Sequence, residues 1–144
     1  MFDRYNVAAR RAIYWAHSEA SEHGSPFIET EHLLLALLRE DDGLVRRLLR
    51  GGTDVEDIRR EIQAATPSQN PVIRARELPL SSSMRLALAN AAQDAGAFGH
   101  QHIGSDHLLL GIVRDPTSFA ARVLQKHGID RERVLAARKG TDPA

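Results

Sequence analysis

A ten-residue segment occurs twice in this chain, and the repetition constrains the fold more than any other feature. Residues 30–39 read TEHLLLALLR, and residues 105–114, 75 positions later, read SDHLLLGIVR. Five of the ten positions are identical, and the other five exchange similar residues. Because repetition at a fixed period indicates a duplicated structural unit, we expect two similar units within one chain.

Each copy has the sequence of a buried helix. The hydroxyl residue, Thr30 or Ser105, is expected at the N-cap, where its oxygen accepts from first-turn amides. The acid that follows, Glu31 or Asp106, is expected at the first helical position, where the helix dipole favours negative charge. A helix that is apolar all round must be buried all round, so the apolar runs are predicted to be almost fully buried. These runs are 33–38 and 108–113.

The rest of the first unit predicts three further helices. Asn6 is a suitable N-cap for a helix of about residues 7–23, whose apolar residues recur at helical spacing. A short helix over 44–49 is expected to end at the glycines 51–52, and Asp54 to cap a fourth helix.

The second unit predicts the same order of helices. Ser81 is expected to cap a helix of about 82–98. Asp115 and Pro116 predict an N-cap followed by proline at the first helical position, which proline tolerates. Asp130 is expected to cap the last helix.

Together these patterns predict an all-α fold of eight helices, in two four-helix repeats related by a pseudo-twofold axis. We expect a single domain, because 144 residues suffice for one core. Its expected parts are repeat one 1–65, linker 66–80, repeat two 81–138 and tail 139–144.

Composition excludes several classes of protein. There are no cysteines for disulfides or thiolate sites, and 19 basic residues balance 19 acidic ones. No apolar run approaches the roughly 18 residues of a membrane span, and the amino terminus does not resemble a signal peptide. No G-x-x-x-x-G-K-[ST] phosphate loop occurs. We therefore expect a cytoplasmic, monomeric protein without cofactor, metal, nucleic-acid or membrane partner.

The doubled motif resembles the "(I)-G-T-E-H-(I/L)-L-L-(G/A)-L" signature of the amino-terminal domain of Clp AAA+ unfoldases, particularly the ClpC and ClpA branch. The resemblance covers about residues 1–138. Further matching elements are the start Met1-Phe2-Asp3-Arg4 and the pairs Leu48…Gly52 and Leu124…Gly128-Ile129.

The resemblance implies a non-catalytic binding domain. Such domains precede ATPase modules, bind adaptor proteins and substrates, and in the ClpC branch read phosphorylated arginine as a degradation mark. The implied partners are Clp adaptors, substrate proteins or a Clp unfoldase. The chain is expected to be either a fragment of an unfoldase or a stand-alone copy of the domain.

The two helix starts are the candidate ligand sites. An acid beside free backbone amides suits a ligand with both charges, because the carboxylate takes a guanidinium and the amides take a phosphate. The alternative is that these acids only complement the helix dipole. The candidate residues are Thr30, Glu31 and His32 at the first site, and Gly104, Ser105, Asp106 and His107 at the second.

The sequence departs from the motif differently at the two sites. Glu29 replaces the family glycine at the first site, which adds negative charge and removes backbone freedom. At the second site Gly104 is retained, while Ser105 and the shorter Asp106 replace Thr and Glu. We therefore expect the second site to bind phosphoarginine better.

Two further pairs of residues have alternative interpretations. His32 and His107 are interpreted as buried hydrogen-bonding anchors. The alternative is that they act as metal ligands or general bases, which would indicate a small metal-dependent or Glu/His-based hydrolase. Phe2 and Leu80 each precede the first helix of a unit. They are expected either to close the core or to line an apolar docking groove.

Overall fold

A computed structural model describes residues 4–40, 42–49, 53–65 and 78–141. Within these ranges the chain is all-α and contains no strand, which confirms the predicted fold class. No helix in the described ranges is long and apolar enough to cross a membrane. The described residues form eight helices: α1 (Val7–Glu22), α2 (Thr30–Glu40), α3 (Asp42–Arg46), α4 (Val55–Ala65), α5 (Ser82–Ala97), α6 (Ser105–Arg114), α7 (Phe119–Lys126) and α8 (Arg131–Thr141).

Two short backbone pairings join the two units and repeat the same geometry. Asn6 N–H donates to the Ile103 carbonyl (2.9 Å), and Ile103 N–H donates to the Arg4 carbonyl (2.7 Å). Seventy-five residues away the arrangement recurs with the units exchanged: Ser81 N–H donates to Ile28 O (3.1 Å) and Ile28 N–H to Pro79 O (2.9 Å). This exchange is what a pseudo-twofold axis between the repeats requires.

The central helices α2 and α6 form the middle of the core. Each residue of the two apolar runs is buried, and their side chains are 0 to 5% exposed, as predicted. Helix α1 packs on α2, α5 packs on α6, and α2 also contacts α6 across the pseudo-twofold axis. The starts of both central helices are therefore held between elements of the two units.

Gly111 allows α6 to approach α5 closely, and we expect Gly111→Ala to destabilise the fold. A Cβ at this position would lie 2.2 Å from the Ala87 carbonyl oxygen and 3.1 Å from the Ala91 nitrogen. Alanine gains about 1 kcal/mol of helix propensity over glycine. Separating two backbones is expected to outweigh that gain, with a net loss of about 1–3 kcal/mol, the range for an overpacked core.

Urea unfolding measures this loss, and Ala36→Gly at the matching position of α2 is the control. The control should lose only about 0.5–1 kcal/mol, the cost of glycine inside a helix. A Gly111→Ala protein as stable as wild type would show that the two helices separate freely.

Several predicted helix ends differ from those of the structure. Thr30 and Ser105 are the first helical residues and not the N-caps, so the acids after them lie at the second helical position. Helix α3 ends at Arg46, before the predicted residue 49, and the glycines 51–52 lie outside the described residues.

Helix α7 does not begin at Asp115-Pro116. Asp115 instead follows the end of α6, and its carboxylate accepts from the Thr117 amide (3.1 Å) and hydroxyl (2.6 Å) in a tight turn. Ser118 is the N-cap, because its hydroxyl accepts from the Ala121 amide at 3.1 Å. The local Asx turn competes successfully with a helix start at the same residues. The predicted caps Asn6, Ser81 and Asp130 are confirmed by the bonds they accept from amides three residues on.

Candidate functional site

Histidine side chains close the amino-terminal ends of both central helices. His32 Nδ1 accepts from the Glu29 amide at 2.8 Å, and His107 Nδ1 accepts from the Gly104 amide at 2.9 Å. The two histidines are only 3% and 4% exposed. They satisfy backbone donors that a helix start leaves without an intrahelical partner. The interpretation of both residues as buried anchors is confirmed.

The same geometry gives the hydrolase alternative no support. A general base or metal ligand needs an accessible nitrogen, and the Nδ1 atom of each histidine already accepts a backbone hydrogen bond. Among the described residues, no three His, Cys, Asp or Glu side chains are grouped so that they could hold a metal ion.

At the start of α2, burial disfavours the charged forms of Glu31 and His32. Burial raises the pKa of Glu31; a backbone hydrogen bond lowers it, and the neighbouring Glu29 carboxylate raises it further. Burial, followed by the nearby His23, lowers the pKa of His32 to about 4. Burial is therefore the main cause of both pKa shifts at this helix start.

At the start of α6 the acid is held by its own helix. Asp106 Oδ1 accepts from the His107 amide at 2.9 Å and lies 3.4 Å from His107 Nδ1. The hydroxyl oxygen of Ser105 is buried and makes no hydrogen bond within the described part of the chain.

Gly104 does not leave open space beside it. A Cβ there would meet Asn6 Nδ2 and Asp106 Oδ1, each at 3.0 Å. The amides of Gly104 and His107 are also already bonded, to His107 and Asp106. Two donors of this helix start are therefore used within the protein and are not available to an anion.

A surface pocket adjoins the α6 start through Asn6. Its volume is about 420 Å³, and its walls are formed by Tyr5, Asn6, Val7, Arg10 and His102. The Arg10 guanidinium makes no hydrogen bond or ion pair among the described residues. In the sequence alone, Arg10 is indistinguishable from a solvated residue on a helix surface. Only its position at the edge of this pocket, brought there by the packing of α1 beside α6, marks it as a candidate ligand residue.

The corresponding surface beside α2 has different chemistry. Arg85 is 75 positions from Arg10, and its Nη1 donates to the Leu80 carbonyl oxygen at 3.1 Å. Phe27 stands where the second unit has His102, and it is exposed. Of these two equivalent arginines, Arg85 is therefore hydrogen-bonded, whereas the Arg10 guanidinium has no partner within the part of the chain that the structure describes.

The two apolar groove candidates are not equivalent positions. Phe2 lies outside the described residues. Leu80 is half-buried, packs against the core and pairs with Ile28. The residue that matches Leu80 is Tyr5, which is buried and pairs with Ile103 in the same way. Leu80 is therefore equivalent to Tyr5 and not to Phe2, which stands three positions earlier in the sequence.

Comparison with known proteins places these features in a family. Residues 4–127 match the family described as the Clp repeat (R) N-terminal domain. The chain is 34% identical over 135 residues to "Chaperone protein ClpC2, chloroplastic" of Oryza sativa subsp. japonica. This match covers 93% of the chain and 15% of the rice protein. The chain thus spans about one seventh of the length of that relative.

Solved structures show the same fold over nearly the whole chain. The N-terminal domain of ClpD from Arabidopsis thaliana superposes with a TM-score of 0.72 at 25% identity, covering 97% of both chains. The N-terminal domain (1–163) of the ClpV1 ATPase from the E. coli EAEC Sci1 T6SS gives a TM-score of 0.76 at 25% identity, covering 98% of this chain and 87% of that one. The chain therefore belongs to the family of Clp repeat N-terminal domains.

Proposed function

We propose that this domain is a binding module of the Clp system that docks adaptors or substrates marked with phosphoarginine, without ATPase or other catalytic activity of its own. The observation that carries the proposal is the juxtaposition at α6 of Asp106 with the pocket that holds Arg10. Asn6 Nδ2 and Asp106 Oδ1 both lie beside Gly104, and Asn6 and Arg10 line the same pocket. The implied location is the cytoplasm, although the rice relative is a chloroplast protein.

Phosphoarginine matches this arrangement because it carries both charges on one side chain. Its guanidinium pairs with the Asp106 carboxylate, and planar guanidinium groups bind carboxylates through parallel hydrogen bonds. Its phosphoryl group pairs with Arg10, since a fork of N–H donors suits phosphate. Because two amides of the helix start are already bonded, Arg10 replaces them as the main phosphate ligand in this proposal.

The site at α2 is proposed to bind the same ligand more weakly. Glu29 places a second negative charge beside the phosphate position, and burial makes Glu31 harder to ionise. Arg85 is held by the Leu80 carbonyl and would have to leave it. Thr30 and His32 complete this site as structural support, as Ser105 and His107 do at the second.

Leu80 is proposed as part of an apolar docking surface for adaptors, together with Phe2. The supporting observation is that Phe27, next to the residue that pairs with Leu80, leaves a large aromatic side chain exposed. Apolar groups exposed beside a polar site can anchor a protein partner.

The test is titration of the purified domain with phosphoarginine, with arginine and inorganic phosphate as matched ligands. Chemical shifts of the backbone amides report which helix start responds. We expect phosphoarginine to shift Asp106 and its neighbours most, and arginine or phosphate alone to bind at least tenfold more weakly, because each engages only one of the two charges.

ATP serves as the negative control in the same titration. The chain has neither the glycine-rich phosphate loop nor its lysine, so no stoichiometric uptake is expected. Absence of any response to phosphoarginine at about 1 mM would remove the mark-reading function and leave only adaptor docking.

A further inference from the structure

The start of α6 carries a pair of hydrogen-bonded histidines that the start of α2 lacks. His107 Nε2 lies 2.9 Å from His100 Nδ1, while His107 Nδ1 accepts from the Gly104 amide. In the first unit the residue matching His100 is Ser25. The ring nearest to His32 there is His23, at 6.1 Å between ring centroids.

The hydrogen bonds define where the protons of this pair lie. A neutral imidazole has one donor and one acceptor nitrogen. Since His107 Nδ1 accepts from Gly104, its proton is on Nε2 and is donated to His100 Nδ1. His100 then carries its own proton on Nε2. These positions follow from the bonding pattern and form one chain from Gly104 through His107 to His100.

One additional proton is incompatible with this chain of hydrogen bonds. It leaves the two rings with a single acceptor nitrogen, whereas the two hydrogen bonds need two acceptor nitrogens. If His100 takes the proton on Nδ1, two N–H groups face each other at the position of the 2.9 Å contact, and that bond breaks. If His107 moves its proton to Nδ1 and accepts from His100, the Gly104 amide loses its acceptor.

The second arrangement also redirects the candidate ligand residue. A proton on His107 Nδ1 would face Asp106 Oδ1, which lies 3.4 Å away. An N–H group that acquires a carboxylate partner forms a charge-assisted hydrogen bond. Asp106 Oδ1, which already accepts from the His107 amide, would then bind a second donor of its own neighbour and become a weaker partner for the guanidinium of a ligand.

We propose that His100 and His107 form a proton-sensitive lock on the α6 site. In the neutral pair the hydrogen bonds keep Gly104 and Asp106 in the arrangement that binds ligand, and one added proton breaks one of these bonds. His100, which is only partly buried, is the residue through which solvent reaches the pair, and His107 is a positioning residue for Gly104 and Asp106. Mild acidification, in the range where histidines gain charge, is expected to weaken ligand binding at this site. The consequence for binding rests on the proposed function, whereas the lock itself does not.

Charged and titratable side chains also lie on the elements next to the histidine pair. Asp94 on α5 is bound by Arg131 of α8 in a two-pronged pair, both contacts 2.9 Å, and by Arg114 at 3.6 Å. Arg10 of α1 keeps its charge throughout, and His102 lines the adjoining pocket. The buried residues of α2 and α7 are apolar apart from Thr30 and His32.

The first measurement needs no ligand. Nitrogen-15 NMR of the histidine rings between about pH 8 and pH 5 reports which nitrogen carries each proton. We expect an Nε2–H tautomer for His107 at the alkaline end. On acidification the Gly104 amide signal should shift together with the His100 ring signals. A Gly104 amide that does not respond while His100 titrates would overturn the lock.

The second measurement uses His100→Asn in a Glu31→Ala background, which isolates the α6 site. The asparagine carbonyl oxygen can accept from His107 Nε2 and cannot become protonated in this range. With His100 present, we expect phosphoarginine affinity to fall by about tenfold from pH 8 to pH 5.5, the loss of one charge-assisted bond. In the same background, His100→Asn should reduce that fall to less than about twofold, because the remaining ring keeps its acceptor for Gly104.

The outcomes separate the two proposals. Equal pH dependence with and without His100→Asn would refute the lock while leaving phosphoarginine binding intact. Linked changes of the Gly104 and His100 signals without phosphoarginine binding at any pH would retain the lock and refute the mark-reading part of the proposed function. If His100→Asn does not fold, the ring tautomers of the wild-type protein still decide the question.

Discussion

Leu109→Ala is expected to lower the free energy of unfolding by about 2–5 kcal/mol, the range for truncating a core leucine. Leu109 lies in the middle of α6, is 0% exposed, and is among the largest fully buried side chains. Removing it leaves a cavity where α6 meets the helices around it, and close-packed interiors relax only partly into such a cavity. The matching change in the first unit, Leu34→Ala, should cost a similar amount because Leu34 is equally buried.

Urea unfolding followed by circular dichroism measures the effect, and Leu86→Ala is the control. Leu86 lies on α5 but is 47% exposed, so its truncation removes less buried area and should change stability by less than about 0.5 kcal/mol, as exposed substitutions usually do. A loss below about 1 kcal/mol for Leu109→Ala would mean that α6 is not the centre of the core.

The repeat made the architecture predictable because the sequence of each copy predicts the same order of helices independently. A run of apolar residues without a polar face can only be buried, so the central helices followed from residues 33–38 and 108–113 alone. The caps Asn6, Ser81 and Asp130 were predictable for a similar reason, since a side-chain oxygen three residues before a helical amide is a local feature.

Helix starts with two competing caps were not predictable from local sequence. Thr30 and Ser105 have the preferred chemistry of an N-cap, but His32 and His107 supply the acceptor from inside the first turn. The hydroxyl residue then moves to the first helical position. At Asp115 the carboxylate satisfies two donors of Thr117 in a turn, which removes the need for a helix there.

The candidate site was only half visible in the sequence. Asp106 and Gly104 are contiguous with the motif, whereas Arg10, Asn6 and His102 reach the same place only through tertiary packing. The requirement for glycine at position 111 was hidden for the same reason, because it arises from the distance between α5 and α6. Sequence patterns report the face that a helix buries, but they do not report which side chains of another element lie across from it.

Asp106→Asn is expected to weaken phosphoarginine binding at least tenfold, while Glu31→Gln does less. Asparagine keeps an oxygen that can accept from the His107 amide, so the helix start is preserved and only the charge is removed. Loss of a charge-assisted pair corresponds to roughly 1.5–3 kcal/mol, or about ten- to a hundredfold in affinity. Glu31 is expected to contribute less because Glu29 places a second negative charge beside the phosphate position at that site.

Calorimetric titration of phosphoarginine into each variant at one pH and salt concentration compares the two sites directly. Arg10→Gln completes the set, because it removes the proposed phosphate ligand without touching α6, and it should also cost at least tenfold. Arg85→Gln is its matched control at the α2 site and should have a smaller effect, since Arg85 is held by the Leu80 carbonyl. Equal losses for Asp106→Asn and Glu31→Gln would contradict unequal sites. A normal affinity in Arg10→Gln would return the phosphate to the backbone amides, and Ser105 would then be the first residue to examine, because its buried hydroxyl has no partner in the described part of the chain.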